Sequence, residues 1–210
     1  MSFQTIFEIQ QSMTVNNRRN VGQQVSRAGY LRTAQYLTTV PWVFTITPHN
    51  FLYYPQARSI IQTIDNLDRQ NAERVIFTST SAVSWFTKYQ GDISSPLFTL
   101  AATPAANATT ISINVSVGAG FALKAGDFIM INGYTYKVTA DVTRSSSPKS
   151  VTIHRPIIGS PTSGATVYVG NDVSFDLKAE SCPTYTLTPM TNGAFVNWDG
   201  PFVFRENIAP

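Results

Sequence analysis

Residues 123–143 read LKAGDFIMINGYTYKVTADVT, and the dipeptide Asn132-Gly133 in the middle of that stretch fixes how the second half of the chain is read. It stands between DFIMI (127–131) and YTYKVTADV (134–142), two short runs rich in β-formers. A two-residue hairpin loop of type I′ needs positive φ at both central positions, and Asn-Gly meets that need best. Outward from the hairpin lie ISINVS (111–116), SVTIHRPI (150–157) and ATVYV (165–169), with Gly118, Gly120 and Ser145 to Pro148 as punctuation. Five short strands over roughly 60 residues predict a small OB- or SH3-like β-barrel spanning 98–170.

The N-terminal part has a different texture. In FQTIFEI (3–9), Phe3, Phe7 and Ile9 share one parity, and this period of two predicts a half-buried strand. From Gln10 to Tyr36 the chain is rich in Gln, Asn and Arg, with scattered Val and Tyr, which reads as a long β-hairpin arm. Residues 39–47, TVPWVFTIT, alternate again: Trp42, Phe44 and Ile46 face one way, Val43, Thr45 and Thr47 the other. Pro55 suits a first helical turn. Ala57, Ile60, Ile61, Ile64 and Leu67 follow at helical spacing, predicting one helix that ends near Asn71, before a strand at RVIFT (74–78). Residues 79–97 read as an irregular connection packed by Trp85, Phe86 and Tyr89. Strands are expected at VSFDLK, CPTYTLT and PFVFRENI in the last forty residues, with a turn at PMTNG (189–193). So short a stretch does not bury a core by itself. It needs the N-terminal part, which predicts a discontinuous main domain, 1–97 with 171–210, carrying 98–170 as an insertion.

Charge narrows the function. Charged residues make up 13% of the chain, about half the usual share, with Thr, Ser, Asn and Gln in their place. Soluble monomers keep charged surfaces, so this composition suits a subunit covered by neighbours. The net charge of +3 is no nucleic-acid signature in itself. Its distribution says more: between Glu8 and Asp65 there is no acid, yet Arg18, Arg19, Arg27, Arg32 and Arg58 fall there, and no Lys. Arg is the cation favoured at desolvated, bidentate interfaces. Arg18, Arg19, Arg27 and Arg32, in the arm, are therefore candidate subunit-interface residues; a solvated basic face is the plain alternative.

No constellation for catalysis stands out. His49 and His154 are the two histidines, Cys182 is the one cysteine, and no metal-ligand spacing or carboxylate cluster occurs. VGAGFALKAGD lacks the GK[ST] ending of a phosphate loop. No catalytic, cofactor or metal residues are expected, and the chain is read as a non-enzyme. The rival is a recognition module, because small barrels often bind sugars or oligonucleotides. Lys137, Arg144 and His154 would then form the ligand surface with Tyr134 and Tyr136; alternatively the two tyrosines fill the barrel core. The N-terminus lacks a basic segment followed by an apolar run, so no signal peptide is expected. No apolar stretch approaches the ~20 residues of a membrane helix.

Two parts of the chain resemble a bacteriophage family, the distal tail and baseplate-hub proteins. Residues 3–78 are similar to the tail-tube-like domain, with NNRRN and VSRAG in an arm leading to PWVFTITP and a helix. LKAGDFIMINGYTYKVTADVT followed by VTIHRPI (151–157) closely resembles a small barrel inserted in that family. The resemblance implies a mainly β fold: a β-sandwich with one flanking helix, a hairpin arm and the inserted barrel. It implies a structural protein of the virion, made in the host bacterial cytoplasm, forming a ring, commonly hexameric, at the tail tip or baseplate. Its partners would be copies of itself and neighbouring tube and hub proteins; direct nucleic-acid binding is not expected.

Overall fold

The computed structural model describes residues 2–18, 21–35, 40–67, 70–78 and 80–208. In chain order it holds α1 (Ser2–Glu8), β1 (Gln10–Asn16), β2 (Val21–Val25), β3 (Leu31–Gln35), β4 (Val43–Pro48), β5 (Leu52–Tyr53), α2 (Tyr54–Asp65) and β6 (Glu73–Ile76). Then come β7 (Phe98–Leu100), β8 (Thr110–Asn114), β9 (Phe121–Leu123), β10 (Phe128–Ile131), β11 (Tyr134–Lys137), β12 (Val142–Thr143), β13 (Lys149–Thr152) and β14 (Thr166–Val169). A 3-10 turn, Gly170–Asp172, leads into β15 (Ser174–Ser181), β16 (Tyr185–Met190), β17 (Gly193–Trp198) and β18 (Phe202–Glu206). The chain is mainly β and divides into two compact units.

The first unit comprises Met1–Asn16, Pro41–Phe86 and Ser174–Pro210. Its larger sheet is antiparallel, in the order β1-β4-β18-β15-β6. The alternation expected in β4 holds: Phe44 and Ile46 are buried while Val43, Thr45 and Thr47 are half-buried. Directly opposite on β18 stand Phe204 and Phe202, both fully buried. Their large apolar faces make this sheet the floor of an aromatic core.

The segment 3–9, expected as a strand, is instead mostly helix α1. Parity counted Phe3 and Phe7 but left out Ile6, which is equally buried. Positions 3, 6 and 7 follow i, i+3, i+4, the stripe a helix presents to a core. Gln4 Nε2 also donates to Glu8 Oε1 at 2.9 Å, an i, i+4 pair only a helix brings together. The described residues thus hold two α-helices where one was expected. The second, α2, has Pro55 in its first turn and buries Ala57, Ile61 and Ile64 as its spacing predicts. It stops at Asp65, earlier than expected, with Asn66 as C-cap; Asp68 and Arg69 lie outside the described residues. A three-stranded sheet, β16-β17-β5, completes this unit.

The second unit comprises Asn17–Val40 and Thr87–Val173. Six strands run in the order β11-β10-β14-β7-β8-β13, and β12 pairs with β9. The sheet curls until its outer strands approach, through a bridge between Val138 and Ile153. Asn132 (φ 51) and Gly133 (φ 82) both adopt the left-handed conformation, and Ile131 pairs with Tyr134 across the turn, as the dipeptide requires. Phe98, Leu100, Ile111, Ile113, Ile129, Ile131, Val151 and Val167 fill the concave side. Phe98 pairs with Val167, so the chain enters and leaves this segment on neighbouring strands.

The expected arm is divided. Gln10–Asn16 is β1, the outermost strand of the first unit's larger sheet. β2 and β3 pair in register from Val21↔Gln35 to Val25↔Leu31 and form a hairpin of their own. Its turn is closed by Ser26 N–H to Tyr30 O and Gly29 N–H to Ser26 O, both 2.8 Å. Gly29 takes φ +80, where a side chain would be strained.

Candidate functional site

Most carboxylates in the described residues are committed to the backbone. Glu8 accepts from Ala82 N–H at 2.7 Å and from the Ser81 hydroxyl, holding the turn at 81–86. Glu73 accepts from Phe3 N–H at 3.2 Å, and buried Glu206 from Trp42 N–H at 3.0 Å. In the second unit Asp92 takes Phe121 N–H at 2.6 Å, and Asp141 takes Ala125 N–H at 2.8 Å. Asp127 takes Gln90 N–H at 3.0 Å and Lys124 N–H at 2.9 Å. Burial pushes the Asp127 carboxyl above its ordinary pKa, while these amide bonds pull the other way. Burial, and then Asp127, push the Tyr89 phenol up to about 12. The LKAGD segment is accordingly a tight turn whose amides are held by Asp127 and Asp141. These acids act as loop clamps, each accepting bonds a neutral side chain would make more weakly. No group of three or more His, Cys, Asp or Glu that could hold a metal occurs among the described residues.

The three residues of the expected ligand surface have separate local roles. Lys137 N–H donates to His154 Nδ1 at 2.9 Å, and His154 N–H donates to Lys137 O at 3.0 Å, so the end of β11 and the bend just after β13 bring these two side by side. Arg144 instead donates from Nε to Ser116 O at 3.0 Å and bears on Gly118. Tyr136 is fully buried in the core and its hydroxyl accepts from Ile158 N–H at 2.8 Å; Tyr134 is partly buried against the same cluster. Tyr136 therefore has no exposed face on which a ligand could stack. A separate neutral groove of about 310 Å³ is lined by Asn132, Ser160, Thr162, Thr166 and the exposed ring of Tyr168.

Of the interface candidates, Arg18 and Arg27 are exposed. Arg32 lies on β3, while Arg19 lies outside the described residues. Arg27 sits in the β2–β3 turn among exposed apolar side chains: Val25 is 66%, Tyr30 73% and Leu31 57% exposed.

Sequence reading missed two features. The first is Arg155, 1% exposed, whose guanidinium donates to Val40 O and Thr135 O, each at 2.8 Å, and lies 5.2 Å over the Tyr136 ring. The second is a cleft of about 350 Å³ in the first unit, bordered by Asp65, Cys182, Thr184, Tyr185, Trp198 and Phe202. Tyr185 donates its hydroxyl to Asp65 Oδ2 at 3.2 Å and meets Trp198 edge-on at 5.3 Å. Desolvation first, then the Asp65 carboxylate, raise the Tyr185 pKa, which keeps it a donor. The Trp198 indole N–H is buried and has no acceptor among the described residues.

No protein-family model matches the chain, and comparison with curated proteins gives no match.

Proposed function

We propose that this protein is a structural subunit of a bacteriophage tail tip or baseplate, which joins copies of itself into a ring that ends or continues the tail tube. In this reading the first unit is the tube-like β-sandwich, and the curled second unit contains the inserted small barrel. The observation that carries the proposal is β1. It is an outermost strand of seven residues, QQSMTVN, without charge or proline, and its burial pattern leaves Gln11, Ser12, Thr14 and Asn16 exposed. Proteins that stay monomeric blunt such edges with Lys, Pro or cover. An edge without Lys or Pro, and with no strand paired to its outer side among the described residues, supports strand addition from a neighbour, whose main-chain bonds give affinity without charged side chains. Closed cyclic symmetry satisfies every edge in turn. The low charge and the commitment of carboxylates to loops fit a role without chemistry.

Ser12→Lys combined with Thr14→Lys tests this. Both positions are exposed, so the thermal midpoint should stay within about 2 °C of wild type, as for surface changes generally. Analytical ultracentrifugation should show loss of the oligomer. Normal assembly by the double variant would remove β1 from the interface. The neutral groove beside Tyr168 favours a second reading, in which the curled unit recognises a glycan; competition by free sugar on a glycan array would support it.

A further inference from the structure

We propose that the turn at the tip of the β2–β3 hairpin of one copy docks into the aromatic cleft of a second copy, with Arg27 facing Asp65. This rests on the self-assembly reading and assigns it a specific contact. The cleft has the chemistry that holds a guanidinium: a carboxylate for charge-assisted bonds and aromatic rings that attract a cation. Asp65 Oδ2 takes one bond from Tyr185, and a carboxylate has lone pairs for several more.

The hairpin tip is the matching shape. Its turn is ordered by Ser26, whose hydroxyl accepts from Tyr30 N–H at 3.0 Å, so little entropy is lost when it docks. It presents Arg27 beside the exposed apolar surfaces of Val25, Tyr30 and Leu31. A cleft of about 350 Å³ admits a few side chains of such a turn. Charge complementarity identifies the occupant as a second copy. The hairpin belongs to a stretch with arginines and no acid, and the cleft opens at Asp65, the first acid after it.

The test is an exchange of charge between copies. Asp65 is exposed at the C-terminal end of α2, where a cation is favourable to the helix dipole, so Asp65→Arg should fold. Arg27→Glu changes an exposed turn position. Each variant alone places like charges at the contact, and sedimentation should show association weakened by about tenfold or more. An equimolar mixture of the two single variants restores opposite charges at every contact of an alternating ring, and should assemble within about threefold of wild type. Tyr30→Ser, which leaves the charges alone, should also weaken assembly at an unchanged melting temperature. Assembly of both single variants at wild-type strength would overturn the contact while leaving the ring intact. Weakened single variants that the mixture fails to rescue would likewise overturn docking between copies. A wild-type protein that stays monomeric would overturn the ring reading itself.

Discussion

Phe44→Ala is expected to lower the thermal midpoint by roughly 10 °C, from a loss of about 3–5 kcal/mol. The ring is fully buried and is the hub of the first unit's core. It meets Phe175 at 5.0 Å, Phe7 at 5.5 Å, Phe86 at 6.1 Å, Trp42 at 6.4 Å and Phe77 at 6.5 Å between centroids. Several of these contacts are edge-on, the geometry aromatic quadrupoles favour. Truncation removes the buried area and leaves a void that stiff neighbouring rings fill poorly. Phe44→Leu, which keeps most of the volume, should cost distinctly less. Differential scanning calorimetry of the two variants beside wild type checks both the size and the order. Equal and small effects would show that the core collapses around the gap.

Arg155→Ala is expected to cost a similar 3–5 kcal/mol, for a different reason. Two buried carbonyls, Val40 O and Thr135 O, lose their donor, and the face of Tyr136 loses the guanidinium that covers it. A buried acceptor without a partner costs its full desolvation. Arg155→Lys should recover little of this, because an ammonium cannot span both carbonyls in the plane of a stacked fork. Hydrogen exchange gives the distinguishing readout: the amides of β11 should lose protection along with the fall in midpoint. A variant that melts like wild type would mean that water enters and satisfies the two carbonyls.

Local patterns explain which parts of this fold were legible. β4, α2 and the Asn132-Gly133 hairpin announce themselves because each is decided by neighbours within a few residues: parity, helical spacing, or a demand for positive φ. α1 imitates a strand in sequence because two of its three buried residues, Phe3 and Phe7, satisfy both periods; only Ile6 separates them. β17 (GAFVNW) follows the expected turn and is not among the expected strands, although Val196 and Trp198 alternate inward. The second unit also holds β7, in the curled sheet, and β9, paired with β12, each of three residues and too short to show a period.

The candidate sites were harder to read because their partners are distant in sequence. Arg155 reaches Val40, 115 residues away, so its isolation in HRPI carried no sign of burial. The cleft combines the end of α2 with residues 182–202, and Tyr185 and Asp65 are 120 residues apart. The arginine stretch could be read because it is contiguous, and Arg27 is its member placed on an exposed turn. Lys137 and His154 do come together, through strand pairing their sequence alternation could not specify, whereas Arg144 serves the loop at Ser116 and Gly118.

Native mass spectrometry of the purified 210-residue chain reads its assembly state. A ring-forming subunit gives a closed oligomer with one dominant stoichiometry, hexameric if the resemblance to tail proteins extends to the ring, and images of that species should show an annulus with a central channel. A chain that remains monomeric at the highest soluble concentration, or forms open-ended aggregates without a preferred size, is not a ring-forming subunit.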